Sequence, residues 1–574
     1  MKVFKKMFSI FLGAVLAAGT LSAVSCAKEV PYDPDNFISA EEAQEMGEPY
    51  KIVKEPITLK VFVPISASNP HYNEMASIQK LSEITNIKFD FIEASVSAYT
   101  TLRTAAWQNK NDLPDLFLFN NPVSEQVTNY RYGAMYAWND DSLTVRGIQV
   151  GSLIDNYMPN YKALLENNFG HEDEISAVSV AMMDDGKMYS LVCCNDIPRD
   201  MTYKMYINQQ WIDNLNEDYG LGLPDACDIH TLGDYVKVLR AFKNYDANRN
   251  DKANDEIPVT AQSLYLLRNF VLAAFGYVSN GVEISADGKS FVYVPATDEY
   301  REYLRFMNGL YEEKILDNST FEKTTGSALA GDGYQGKLGS FPDAGAYLTV
   351  GEELDEQYTS FGPLRSEGYD GELLQYGIKT MFQATGAVIP NGTPYVREIA
   401  RLLDILYSDY GVALMAQGVE GVHWSWGDEE KTSWTFHVPD TWKDTSEQYR
   451  ATISPSVGTG CALYIPYEFD KKQNDETLRR INAEAEIYQD YIKILNSAKA
   501  EQMMIPENIR LDPDGYNRVA LLTAALDAYI KSTEANFIKG VTDVDSDQAW
   551  NSYLSDLKGY NYEELVDIYN EALK

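Results

Sequence analysis

Between Ile57 and Phe119 the chain alternates apolar strands with amphipathic segments, and this alternation restricts the fold more than any other feature. Ile57-Thr-Leu-Lys-Val-Phe-Val63 reads as a strand that breaks at Pro64–Pro70. A helix over Tyr72–Thr85, a strand over Ile87–Ile92, a helix over Tyr99–Gln108 and a strand over Asp115–Phe119 follow in turn. Strands separated by helices predict an α/β sheet with right-handed crossovers. Ligands of such sheets gather at loops beyond the carboxyl ends of the strands. Here those loops are Pro64–Pro70 and Asn120–Pro122.

A chain of 574 residues is too long for one such sheet, so two or more domains, or one large bilobal body, are expected. Asp184–Val192 reads as a turn and a strand, Met205–Ile207 as a strand, and Trp211–Leu215 as the start of a helix. Thr231–Tyr245 is a helix with Thr231 and Asp234 in capping-box spacing. Its apolar residues Leu232, Tyr235, Val236, Leu239 and Phe242 recur at helical spacing. Strands are expected near Phe291–Val294, Gly336–Phe341 and Thr385–Pro390, and a helix over Pro394–Tyr407. Beyond Asp475 the tail is amphipathic helix, broken near Met504–Gly515 and Lys539–Asp545.

The Thr231 helix runs into an oxygen-rich stretch with Asp246, Asn248 and Asn250 at alternate positions, closed by Asp255 and Glu256. Calcium takes six to eight oxygen ligands, which a tight loop supplies from positions 1, 3 and 5, a carbonyl at 7, and later acids. Counting from Asp246, the carbonyl belongs to Lys252, and Asn254, Asp255 or Glu256 would complete the shell. The loop departs from an EF-hand at Asp251, where Gly is usual, and at Ile257, where Glu is usual. The competing reading is an acidic surface turn, since Asn and Asp favour turns in their own right. No imidazole or thiolate is near, so a catalytic metal is not expected.

The charge excludes several partners. With 48 basic and 85 acidic residues the net charge is −37, which repels nucleic acid and leaves no basic patch for anionic lipid. The acids are dispersed and read as a solvated surface. Met1–Ser25 carries Lys2, Lys5 and Lys6, a short apolar run and small residues ending at Cys26, the pattern of a secretory signal. Ala23-Val24-Ser25-Cys26 resembles a bacterial lipobox, which would make Cys26 a lipidated N-terminus; ordinary cleavage nearby is the alternative. Residues 26–56, polar and without hydrophobic period, read as a flexible tether. Cys193, Cys194, Cys227 and Cys461 lack zinc spacing and are compatible with a disulfide between distant members or with free thiols.

Scattered motifs along the chain resemble the extracellular solute-binding proteins of ABC importers, in the lipoprotein branch that includes alginate-oligosaccharide binders. They are Asn111-Asp-Leu-Pro-Asp115, Asp185-Gly-Lys-Met-Tyr189, Trp211-Ile-Asp-Asn-Leu215, the helix leading into Asp246–Pro258, and Gly336-Lys-Leu-Gly339. Asp404-Ile-Leu-Tyr-Ser408, Gly418-Val-Glu-Gly-Val-His-Trp424 and the run from Phe537 to Ala572 continue the series. The resemblance implies a two-lobed periplasmic-binding-protein-like fold (type II), hinged by crossing strands, with a helical C-terminal region and a structural calcium in one lobe. Mapped on this chain, lobe 1 takes 57–190 and 361–425, and lobe 2 takes 191–360 and 426–574. It further implies a lipid-anchored surface or periplasmic protein that hands a solute to a permease, acts as a monomer and is not an enzyme.

Aromatic residues make up 12 % of the chain, which suits sugar-binding surfaces, so a carbohydrate is the expected solute and a peptide the rival. Trp424, Trp426, His423 and Glu420 are the first cleft candidates, close to two glycines that let backbone approach. Asn69, Asn120 and Asp343 on strand-end loops, and Trp442 in an irregular aromatic region, complete the set. Each has a plainer reading as a turn or core residue, and Trp211, Trp550 and the Tyr203/Tyr206 pair are expected to pack. The five histidines show no H-E-x-x-H spacing, and no G-x-S-x-G or phosphate-loop motif occurs. A carboxylate pair of glycosidase type is the remaining enzymatic reading, because acids are so numerous.

Overall fold

The structure, a computed structural model, describes residues 32–572 apart from 67–68, 111, 172–175, 199–202, 253–254, 286–288, 323–328, 372–380, 444–445, 456–462, 477–478, 482, 484 and 486–508. Cys26, Asn254 and Cys461 lie outside the described residues.

The expected tether is ordered from Tyr32 onward. Ser39 and Glu42 form a reciprocal capping box on α1 (Ala40–Glu45), and Ile52 and Val53 are fully buried. The Ile52 amide donates to the Thr85 carbonyl, so this segment forms the first layer of the first body. β1 (Ile57–Ile65) follows, then α2 (Ala76–Thr85), β2 (Ile87–Ser95), α3 (Tyr99–Gln108), β3 (Leu116–Leu118) and α4 (Val123–Arg131). β1 pairs in parallel with both β2 and β3, with Ile57 opposite Ile87 and Val61 opposite Leu116. Helices cover both faces of β1, which explains its near-continuous apolar run.

The chain leaves this body through β4 (Cys193–Asn195) and enters a second sheet at β5 (Lys204–Asn208), which α5 (Gln209–Tyr219) and α6 (Leu232–Asn244) cover. The sequence led us to expect a strand within Asp184–Val192; the structure has only an isolated bridge there, between Met182 and Met188. Thr231 caps α6 by accepting the Asp234 amide, as its spacing predicts. After α7 (Asp298–Glu312), β6 (Ser340–Asp343) and β7 (Tyr358–Phe361) flank β5, both antiparallel to it. The second body is therefore an antiparallel sheet packed on helices, unlike the mainly parallel first one. Trp211 and Trp550 sit in its core, and Tyr206 is buried beside it, as expected.

The chain returns through β8 (Phe382–Gln383), and β9 (Ala387–Val388) joins the first sheet antiparallel to β3, giving the order β9-β3-β1-β2. α8 (Val396–Leu406) is buried on nearly every side because the segment before β1 closes over it. Its Arg401 donates to the carbonyls of Ile38 and Lys51, and Asp404 accepts from the Tyr161 amide. α9 (Asp409–Gln417), the hairpin of β10 (Trp424–Trp426) and β11 (Trp434–Phe436), and α10 (Ser446–Ile453) stay with the first body. Trp424, Trp434 and Ala413 of α9 form one aromatic cluster, so the boundary expected between 425 and 426 is displaced. β12 (Tyr464–Ile465) then pairs with β4, which also holds β8; these three strands are the crossing between the bodies.

Arg480 reaches Asp355 of the second body. The long helix α11 (Pro513–Ile538) runs between the two: Tyr516 packs on the first core, and Leu522 to Ile538 pack in the second. Arg268 and Glu534 form a buried ion pair 2.9 Å apart, with the Tyr303 hydroxyl donating to the same carboxylate. Cys193, Cys194 and Cys227 are free thiols.

Candidate functional site

The carboxyl ends of β1 and β3 place their following loops on the rim of the first body that borders the crossing strands. After β3 the backbone turns through Phe119 and Asn120, both at positive φ (69° and 52°). Non-glycine residues hold this conformation only when their surroundings impose it. The Tyr99 hydroxyl donates to the Phe119 carbonyl at 2.9 Å, and buried Arg103 donates to the Asn120 carbonyl at 2.6 Å. Asn121 donates to the carbonyls of Phe117 and Thr385, and Gln126 to that of Ala384. The turn is thus bolted to the segment entering β9, and the Asn120 side chain is left exposed.

On the β1 side, the Asn69 amide donates to the Ala451 carbonyl at 3.0 Å, joining the loop after β1 to α10. Beside it Trp442 and Phe436 both lie against the Tyr449 ring, with centroids 5.3 and 5.9 Å apart. All three rings are partly exposed, which gives this rim an aromatic surface next to an amide. Asn69 and Asn120 thus lie on the loops after β1 and β3, and Trp442 lies beside α10, which Asn69 joins.

Other candidates are placed differently. Asp343 ends β6 opposite Lys204, but it is buried: Thr349 and Gln262 donate to its Oδ2, and the Ala344 amide to its Oδ1. Burial pushes its carboxyl up to about 6. It braces the end of β6 and offers no free oxygen to a ligand, contrary to the sequence reading. Trp424 is 2 % exposed and its indole nitrogen donates to the Gly418 carbonyl at 3.0 Å, so its ring backs the hairpin from within. His423 accepts the Val419 amide through Nδ1, and burial lowers its basicity. Glu420, Trp424 and Trp426 do come together, lining a cavity of about 600 Å³ beside α9. That cavity is lined from the first body and the crossing region, with no residue of β5, β6 or β7. Sequence reasoning missed Tyr449, Arg103 and Tyr99, whose roles depend on contacts between distant segments.

The oxygen-rich loop folds as its spacing suggests. Asp246 accepts the amides of Asn250 and Asp251 at 3.1 and 3.0 Å, and Asn248 Oδ1 accepts the Asn250 amide at 3.1 Å. Asp255 receives the side-chain amides of Asn250 at 2.9 Å and Asn248 at 3.4 Å, so four side chains converge. Asp251 takes the left-handed conformation, φ 61°, that Gly would take in an EF-hand. Lys252 is exposed. Glu256 is buried; its Oε1 accepts the Ala247 amide, while Oε2 is buried without a partner. Burial raises its carboxyl. An unpaired buried carboxylate oxygen is costly, and a cation at the loop centre would satisfy it. Among the described residues no group of three or more His, Cys, Asp and Glu side chains is arranged for a metal. The oxygens this loop brings together come equally from aspartate and asparagine, Asp246 and Asp255 with Asn248 and Asn250.

No protein-family model matches the chain. The fructooligosaccharide ABC transporter substrate-binding protein FusA of Streptococcus pneumoniae serotype 4 is 28 % identical over 306 residues, so the match spans about half of each protein. Among solved structures, FusA in complex with kestose superposes with a TM-score of 0.70 at 20 % identity, over 90 % of this chain and 98 % of that one. A FusA EF-hand mutant in complex with fructo-nystose gives 0.69 at 19 %, again over 90 % and 98 %. An HMO-binding ABC-transporter-associated solute-binding protein of Bifidobacterium longum infantis gives 0.70 at 18 %, with the same coverage. The alginate-binding protein AlgQ2 without calcium ion gives 0.63 at 16 %, over 91 % of this chain and 99 % of that one. The chain has the two-lobed solute-binding-protein fold, and over about half its length it is similar to an ABC transporter substrate-binding protein.

Proposed function

We propose that this protein is the substrate-binding component of a carbohydrate ABC importer, capturing an oligosaccharide between its two lobes and passing it unaltered to a permease. The observation that carries the proposal is the surface of the first lobe where Asn69 joins the loop after β1 to α10 and the rings of Trp442 and Phe436 lie against Tyr449. Aromatic faces take the C–H faces of sugar rings, and neighbouring amides take the hydroxyls. Kinship with FusA, and a fold shared with proteins named for kestose, HMO and alginate, supports a sugar over a peptide.

Asn69, Asn120 and Trp442 are the residues to which we assign ligand contact. Three crossing strands and the strut α11 join the lobes, so a ligand touching both rims favours the closed arrangement by its added contacts. We assign no catalytic role to any residue. The assigned anchor is a lipid on Cys26, which would hold the protein at the cell surface or in the periplasm beside its permease.

We also assign calcium to the loop. Asp246, Asn248, Asn250, the Lys252 carbonyl, Asp255 and Glu256 would hold it, and the unpartnered Glu256 oxygen supports this. A hard cation there supplies charge compensation and ties the end of α6 to the strand leading into β6. Two structural relatives, the FusA EF-hand mutant and AlgQ2 without calcium ion, point the same way.

Melting the purified protein with and without kestose, then recovering the sugar, tests the function. A raised melting temperature with intact kestose is expected. Shortened products would make the protein a hydrolase. A rise with peptide pools and none with kestose, maltose or N-acetylglucosamine would make it a peptide binder.

A further inference from the structure

The cavity of about 600 Å³ beside α9 has none of Asn69, Asn120 and Trp442 among its lining residues. Its size falls in the range of about 300–1,000 Å³ that small-molecule sites occupy. The walls are aromatic: Tyr50 is stacked on Tyr410 with centroids 4.5 Å apart, and Tyr464 and Trp426 complete them. Around these rings stand the carboxylates of Asp409 and Glu420 and the ammonium groups of Lys431 and Lys472. Both lysines lie over the Trp426 ring, 5.5 and 5.8 Å from its centroid.

Asp409, Glu420 and Lys431 are exposed at the cavity mouth, and Lys472 and the three tyrosines are half-buried. Among the described residues, none of the three tyrosine hydroxyls, the two carboxylates or the two ammonium groups makes a hydrogen bond or ion pair to the protein. Elsewhere the pattern is the opposite: Lys60, Lys162, Lys187 and Lys471 each hold a carboxylate. An apolar ligand would bury these charges without partners, at a cost. A polyanion would meet Asp409, Glu420 and Glu468. A ligand that combines apolar ring faces with many hydroxyls meets neither penalty. Its hydroxyls donate to the carboxylates, its oxygens accept from the lysines, and its C–H faces lie on Tyr410 and Trp426.

We propose that this cavity is a second carbohydrate site, sized for one or two sugar rings and independent of the cleft between the lobes. It rests on the reading of the protein as a carbohydrate binder. It also gives Glu420 and Trp426 a role that their position away from the rim would deny them.

The test uses the full-length protein labelled with 5-fluorotryptophan, titrated in turn with kestose, maltose and N-acetylglucosamine to tens of millimolar. Fluorine resonances of Trp426 and Trp442 are assigned by Trp→Phe replacement. The expected result is that Trp426 responds to at least one sugar with a midpoint different from that of Trp442. Glu420→Gln should raise the Trp426 midpoint about tenfold, the loss of one hydrogen bond to a charged group, and leave the Trp442 midpoint unchanged. Tyr410→Phe, which keeps the ring and deletes the hydroxyl, should also raise the Trp426 midpoint and serves if Glu420→Gln does not fold. A silent Trp426 with a responding Trp442 overturns the second site and leaves the cleft reading standing. So does a Trp426 response that shares the midpoint of Trp442 and vanishes in Trp442→Ala. Silence of both residues overturns the two readings together.

Discussion

The two lobes solve different problems with different chemistry. The second lobe is held by fixed ionic and polar devices: the buried Arg268–Glu534 pair, the internal brace at Asp343, and the oxygen-rich loop tying α6 to β6. The first lobe has a mainly parallel apolar sheet, and the surface we assign to ligand joins Asn69 and Asn120, on the loops after β1 and β3, to the rings of Phe436, Trp442 and Tyr449 around β11 and α10. The difference teaches that the sheet architectures differ, antiparallel in one lobe and mainly parallel in the other, while both lobes bury charged groups, Arg268 with Glu534 in the second and Arg103 with Glu125 in the first. Stability changes at buried groups of either lobe should therefore separate from binding changes at the assigned surface.

The largest break in that comparison is expected at the buried pair. Arg268→Met leaves Glu534 without its cation and should cost about 3–5 kcal/mol in denaturant unfolding, with kestose affinity little changed once folded. If affinity falls in step with stability, the two are not separable in this way. Next comes Trp424→Ala, which opens a void between Trp434 and Ala413 and should cost about 3–4 kcal/mol. A Trp424→Ala protein of native stability that no longer binds sugar would make Trp424 a ligand contact after all.

Calcium removal should come third. Chelator is expected to lower stability by about 2–3 kcal/mol if the ion is present at roughly a hundred times its dissociation constant. Asp246→Ala should abolish that sensitivity. A native protein that melts alike with and without chelator would leave the loop as a turn held by its own amides.

A smaller effect of opposite sign is expected at Glu398, buried on α8, where burial pushes the carboxyl from its usual range up to about 7. The folded chain then holds more protons than the unfolded one between about pH 4.5 and 7, so stability falls as pH rises through that window. Glu398→Gln removes the penalty and should gain about 2 kcal/mol at pH 8 and nothing at pH 4. An equal change at both pH values would tie its effect to the Tyr32 hydrogen bond instead. The smallest energetic effect and the clearest functional one belongs to Trp442→Ala. It should weaken kestose binding about tenfold, or ~1.4 kcal/mol, with the melting temperature of the free protein unchanged.

What could be read from the sequence follows from how local each signal was. The strands and helices from Ile57 to Phe119 declared themselves because each carries its own period and turn chemistry. The loop Asp246–Glu256 did so because its oxygens are spaced along one short stretch, and Asp251 adopts the left-handed geometry locally. The ordered segment before β1 was missed because its apolar residues, Ile52 and Val53, are few and are buried only by α2 and α8 from far along the chain. Trp424 and Trp426 are two residues apart and look alike in sequence, yet Trp424 is buried in the aromatic cluster whereas Trp426 is only partly buried against it, both bordering the cavity. Asp343 looked like a rim residue because it ends a strand; its burial depends on Thr349 and Gln262, contributed by two other segments. The antiparallel sheet of the second lobe was likewise hidden, since Lys204–Asn208 pairs with strands more than a hundred residues away.

Small-angle scattering of the protein with and without saturating kestose, followed by chromatography of the recovered sugar, tests the central claim most directly. A smaller radius of gyration in the complex and chemically intact kestose are predicted. An unchanged radius at saturation, or a cleaved sugar, would contradict the account.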